Sequence, residues 1–118
     1  MTELIACLST GKGTWGHVSR LLEDEQWTKV YLLTNEFGKE NFTVNEKTEL
    51  LTLDLNKGLK ELRDDMHTIL KEKIKGVEVA LNVVSGTGKE HMALVSAVLK
   101  LGVGLRLVAL TQEGVEEL

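Results

Sequence analysis

Two glycine-rich turns hold the residues of this 118-residue chain whose types and spacing suit chemistry on an anion. Ser85-Gly86-Thr87-Gly88-Lys89 follows an apolar run at 77–84 and opens a helical pattern from Glu90 onward. A strand that runs into a glycine turn and then a helix leaves backbone N–H groups facing outward, where an anion can sit. Ser9-Thr10-Gly11-Lys12-Gly13-Thr14-Trp15-Gly16 follows the apolar run at 4–8 in the same way. The expected phosphate site takes Ser9, Thr10, Gly11, Lys12 and Gly13 from one turn. It takes Ser85, Gly86, Thr87, Gly88 and Lys89 from the other.

Each turn resembles a known nucleotide motif in part. Gly11-Lys12-Gly13-Thr14-Trp15-Gly16 matches G-x-G-x-x-G, and Glu36 follows the second strand where a ribose-binding carboxylate is expected. Dinucleotide binding, to a nicotinamide or flavin cofactor, is therefore an alternative function, although Trp15 is bulky beside a pyrophosphate. Gly86-Thr87-Gly88-Lys89 has the ending of a P-loop but fails on both sides: Val83 stands where the first glycine belongs, and Glu90 follows the lysine where a magnesium-binding hydroxyl belongs. Nucleoside-triphosphate hydrolysis is excluded on that ground.

The elements that must position these turns follow from hydrophobic periodicity. Strands are predicted at 4–8, 29–34, 49–55, 77–84 and 105–110, and helices at 15–25, 58–74 and 90–101. Residues 35–47 read as a long polar loop with room for a short helical turn, and the acidic tail at 111–118 as a flexible end. Alternating strands and helices give a three-layer α/β fold in one domain, with a mainly parallel five-stranded sheet of order 3-2-1-4-5. The order reverses between the first and fourth strands. Ligands of such sheets bind there, outside the carboxyl ends of the strands. Topology alone thus makes neighbours of the two turns.

Other reactive side chains have simpler readings. His17 and His91 lie early in helices beside the turns, as candidates to contact a phosphate or assist a leaving oxygen, while His67 reads as solvated surface. Cys7 lies within an apolar run and reads as an inert core thiol. Trp27 is expected to close the first helix and join the core, Arg20 to face outward, and Arg106 to meet a surface carboxylate or an interface. Trp15 is placed to stack on a base or pack on the sheet. The single cysteine and three histidines show no metal-ligand spacing, so neither metal nor cofactor is expected.

A formal net charge of −4 argues against a duplex nucleic-acid or membrane-surface binder. No apolar run approaches the roughly 20 residues that span a bilayer. The first residues lack a basic region, so a cytoplasmic protein without signal peptide is expected.

Asn82-Val83-Val84-Ser85-Gly86-Thr87-Gly88-Lys89-Glu90-His91-Met92, leading into an alanine-bearing helix, resembles the signature turn of CARF domains, the CRISPR-associated Rossmann folds. The Ser9-Thr10-Gly11 opening is similar to their first ligand-binding turn. The turn here is one residue longer between Asn82 and Lys89 than the family pattern. The resemblance implies a Rossmann-like fold and a homodimer that binds cyclic oligoadenylate across its two-fold axis. Ser9, Thr10 and Gly11 would bind one phosphate and ribose, and Gly86 to Lys89 the next. It also implies a ring-nuclease activity without metal. Lys89 and Ser9 would then be catalytic, with a ribose 2′-hydroxyl attacking the adjacent phosphate. With no effector domain following, a standalone sensor-like domain is expected. A non-catalytic regulatory protein is the remaining alternative.

Overall fold

The computed structural model describes residues 2–8 and 11–118. Strand β1 (Thr2–Cys7) lies in the middle of the sheet, and its buried run explains why. Leu4 and Ala6, with the following Leu8, turn to one face. There they meet Val18, Leu21 and Leu22 of helix α1 (Trp15–Leu22). Ile5 and Cys7 turn to the other face, against helices α3 (Leu59–Lys73) and α4 (Gly88–Leu99). A strand covered on both faces carries apolar side chains at successive positions instead of alternating ones. Strands β2 (Trp27–Thr34) and β4 (Glu78–Asn82) flank β1 in parallel and share this pattern. Strand β3 (Thr48–Thr52) pairs with β2, and β5 (Gly104–Thr111) with β4.

The five parallel strands follow the order 3-2-1-4-5, and the structure adds a sixth at the β5 edge. The expected flexible tail is instead β6 (Gly114–Glu117), antiparallel to β5 in register Val108↔Glu117 to Thr111↔Gly114. Gly114 makes the turn at φ +112°. Arg106 holds the strand through Glu117 at 2.8 Å and also reaches the Thr2 hydroxyl at 3.2 Å. The five-stranded sheet expected from the sequence is therefore six-stranded.

Several boundaries also shift: β3 ends at Thr52 and β4 at Asn82, short of the predicted 55 and 84, and α4 starts at Gly88 and ends at Leu99 instead of spanning 90–101. Helix α1 stops at Leu22, because the Asp24 carboxylate accepts the Gln26 N–H and turns the chain. Trp27 is core as expected but opens β2 rather than closing α1; its indole N–H donates to the Leu21 carbonyl at 2.8 Å. Within 35–47 the chain forms a short helix, α2 (Glu36–Asn41), with the Asn35 side chain accepting the Gly38 N–H. A Cβ at Gly38 would stand 1.9 Å from Thr34 Oγ1, so only glycine lets α2 lie this close to the end of β2. Among the described residues, no helix is long and apolar enough to cross a membrane.

Candidate functional site

The short helix α2 and the start of α4 face each other across the carboxyl edge of the sheet. Between them lies a cavity of about 700 Å³, within the usual range for a small-molecule site. Asn35, Glu36 and Phe37 wall it on one side. Thr52 to Asn56, leaving β3, form a second wall, and Thr87 and Glu90 a third.

The second glycine turn is organised by its own hydrogen bonds. Thr87 Oγ1 accepts the Glu90 N–H at 3.2 Å, and Glu90 Oε1 accepts the Thr87 N–H at 3.0 Å. This reciprocal capping box starts α4 and brings a carboxylate to the cavity wall. Gly86 sits at φ +115°, and a Cβ there would meet Glu90 Oε1 and His91 Nε2 at 3.0 Å each. Backbone hand and space both demand glycine. Ser85 is fully buried, and its carbonyl accepts from His91 Nε2 at 2.9 Å. Gly88 is open, with nothing near the position of a Cβ. The first-turn N–H groups of Gly88 and Lys89 have no partner within the helix and are the donors that an anion at this end would meet. Lys89 gives its ammonium to the Lys57 carbonyl at 2.7 Å, tying the two loops that border the cavity.

None of the described residues of the first turn lines the cavity. Gly11 is exposed and precedes a single 3₁₀ turn at Lys12–Thr14. Lys12 Nζ lies 5.5 Å from the Trp15 ring centroid and 5.7 Å from that of Phe37, a cavity residue. A Cβ at Gly13 or Gly16 would meet nothing within 4 Å, so local packing requires glycine at neither. Ser9 and Thr10, expected to bind phosphate and in the case of Ser9 to act in catalysis, lie outside the described residues.

The two histidines beside the turns have structural partners. His17 Nε2 accepts the Leu110 N–H at 3.3 Å and lies 3.3 Å from Asn82 Nδ2. An accepting Nε2 requires the ring proton to sit on Nδ1, and burial lowers the pKa from 6.5. Asn82 is 2 % exposed; its amide donates to the Val108 carbonyl at 2.9 Å and accepts the Val84 N–H at 3.3 Å. The pair bridges β4 and β5 just beyond their last register pair, Leu81↔Leu107. Its Nε2 is thus engaged with β5 and Asn82. Cys7 is inert as expected: burial, then the Glu90 charge, pushes its thiol up to about 12.

Electrostatically the cavity has an acidic lining. Glu36, Asp54 and Glu90 line it. No lysine lines it; Lys57 and Lys89 are chain neighbours of the lining residues Asn56 and Glu90, Lys12 Nζ lies 5.7 Å from the Phe37 ring, and Lys57 is paired to Asp65 at 2.8 Å. Of the expected site residues within the described chain, Thr87 lines the cavity, while Gly11, Lys12, Gly13, Ser85, Gly86, Gly88 and Lys89 do not. Glu36, weighed as a ribose hook, is in the wall. Sequence reasoning missed Asn35, Phe37, Asp54, Asn56 and Glu90 as lining residues. Their common signal is position, immediately after β2 or β3 or in the first turn of α4, where open α/β sheets bind ligands. Among the described residues, no group of three His, Cys, Asp or Glu is placed to hold a metal ion. The chain matches no protein-family model, and comparison with curated proteins returns no relative.

Proposed function

We propose that this domain binds a nucleotide at the carboxyl edge of its sheet and acts as a sensor of cyclic oligoadenylate. One observation supports the reading: the cavity lies at the carboxyl edge of the sheet, beyond β2 and β3, with Thr87 and Glu90 of the second glycine turn in its wall and Lys12 of the first turn 5.7 Å from the ring of Phe37, which lines it. The lining accepts hydrogens from sugar and base, while Lys12, Lys89 and the open N–H groups of Gly88 and Lys89 suit phosphates. A ring of nucleotides presents several identical units, so two copies of the site in a homodimer match it by symmetry. Cleavage without metal is the second step of the proposal. Lys89 would stabilise charge on the attacked phosphate once it leaves the Lys57 carbonyl.

The deciding experiment incubates the protein with cyclic tri-, tetra- and hexa-adenylate and reads melting temperature, sedimentation and products. A melting shift with one ring size, on a dimeric species, is expected. No shift and no product with any ring size would overturn the reading.

Glu36 favours a second reading. It follows β2 and lines the cavity, as the ribose carboxylate of a dinucleotide domain does. Against it, Gly16 has open space where the third glycine of that motif allows close helix–strand packing. Thermal shifts with NAD, NADP or FAD and none with cyclic oligoadenylates would select it.

A further inference from the structure

Helix α4 is apolar on the face where a surface helix is ordinarily polar. It buries Ala93, Leu94, Ala97 and Val98 in one cluster with Ile5 and Cys7 of β1 and Val79 and Leu81 of β4. Met92, Val95 and Leu99 share the opposite face at helical spacing, with Val95 half-buried between two open neighbours. Met92 is 62 % exposed and Leu99 60 %. Together they make an apolar ridge.

Beside the ridge, over β5 and β6, the same side of the sheet is bare. On the other side, Val108 of β5 and Val115 of β6 pack into the α1 cluster. Alternation turns Leu105, Leu107 and Ala109 away from α1, and the register sets Glu116 opposite Ala109. Leu105 still meets the α3–α4 cluster, but Leu107 is 46 % exposed and Leu118, whose N–H donates to the Leu107 carbonyl, 79 %. With Val84 and Ala109 they line a hollow of about 140 Å³. Two strands span about 10 Å, the width of one helix, so this lane is a trough that a helix fits.

A ridge and an adjoining trough on one surface complement each other when two copies meet about a two-fold axis. We infer that this surface is a homodimer face, with α4 of each copy seated on the β5–β6 lane of the other. An axis along the strands achieves this seating. It carries β6 of the second copy across α4 to the groove between α3 and α4, because α3 lies on the far side of α4, tied to β2 by Tyr31 and to β3 by Glu49. Lys60 and Arg63 line that groove with Leu59 and Met92, around a hollow of about 340 Å³. Glu116 and Glu113 are exposed and arrive there with the opposite charge. Both groups stand near the carboxyl edge: α3 begins at Leu59 after β3, and Glu116 pairs with Ala109, beyond the last β4–β5 pair. Glu116 and Glu117 oppose the alternative of joining two β6 edges. The nucleotide reading asks for two copies and names no face; this face stands on its own observations and needs no ligand.

Sedimentation velocity of the full chain without ligand, over a range of concentrations, tests the face. Wild type should sediment as a dimer. Met92→Glu on the ridge and Leu107→Glu in the trough each put a charge into the interface, and each should leave only monomer. Circular dichroism verifies that both are folded; if Leu107→Glu unfolds, Leu118→Glu reads the same lane at a more exposed position. Val77→Glu, at an exposed apolar residue before the amino end of β4, should remain dimeric. A monomeric wild type overturns the face and leaves it to a partner of another kind. A dimer that survives either substitution in the face overturns it as well. Loss of the dimer in Val77→Glu would mark non-specific association and has the same consequence. Adding cyclic oligoadenylates separates this claim from the nucleotide reading. A dimer of the expected pattern that binds none keeps the face and removes the sensor. A monomer that binds one removes the face and keeps the nucleotide reading.

Discussion

His17 shows how a single ring ties a helix to a sheet edge. Its Nε2 accepts from the Leu110 N–H, and a protonated ring has no acceptor to offer there. Burial places the folded pKa below the ordinary 6.5, so as pH falls the unfolded chain takes up the proton first. The stability that this ring contributes is present in full above 6.5 and is lost as pH falls from there through the folded pKa. Urea midpoints measured from pH 7.5 to about 5 should therefore fall more steeply for wild type than for His17→Gln, which cannot titrate. Parallel slopes would mean that the ring is not held neutral. Asn82 belongs to the same network. Its presence in the family-like motif has a structural cause, the bonds to Val108 and Val84.

The glycines of the two turns separate folding from binding at the level of elements. Gly86→Ala forces a Cβ into a left-handed position against Glu90 and His91, and should cost about 2–3 kcal/mol. Thr87→Ala removes the cap of α4 and should cost about 1 kcal/mol. Gly13→Ala and Gly16→Ala meet open space, so stability should change by less than about 1 kcal/mol, with the helical Gly16 gaining. Denaturant midpoints for the four variants test this ranking. A loss at Gly13 as large as at Gly86 would mean that the first turn is packed more tightly than its geometry shows. The same contrast explains what was legible in the sequence. Strands β1, β2 and β4 announce themselves because burial on both faces makes them largely apolar runs, whereas the less buried β3 and β5 are marked by their leucines and valines alone. Helix α2 has six residues, too few to display a period, and β6 hides behind the charged and exposed Glu116 and Glu117, which suit an edge strand. The turns were visible through their glycines. The cavity residues after β2 and β3 are ordinary polar side chains that only the folded sheet brings together.

Across the whole molecule, the net charge of −4 opposes an anionic ligand at long range, and three carboxylates line the cavity. On the nucleotide reading proposed above, attraction comes from close range, from Lys12, Lys89 and the first-turn N–H groups of α4. Charge–charge contacts of this kind weaken with salt, whereas stacking and hydrogen bonds in the cavity do so far less. The affinity for cyclic oligoadenylate should thus fall as salt rises. For single-stranded nucleic acid, each phosphate neutralised by a cation contributes about 0.7 to the slope of log affinity against log salt. Lys89→Ala should reduce that slope by about this amount and weaken binding at low salt most. Phe37→Leu should weaken binding evenly at all salt concentrations and leave the slope as it is, because the ring carries no charge. Isothermal titrations at three salt concentrations distinguish the two. If Lys89→Ala lowers affinity with an unchanged slope, the lysine acts by tying the two loops through the Lys57 carbonyl and makes no contact with phosphate.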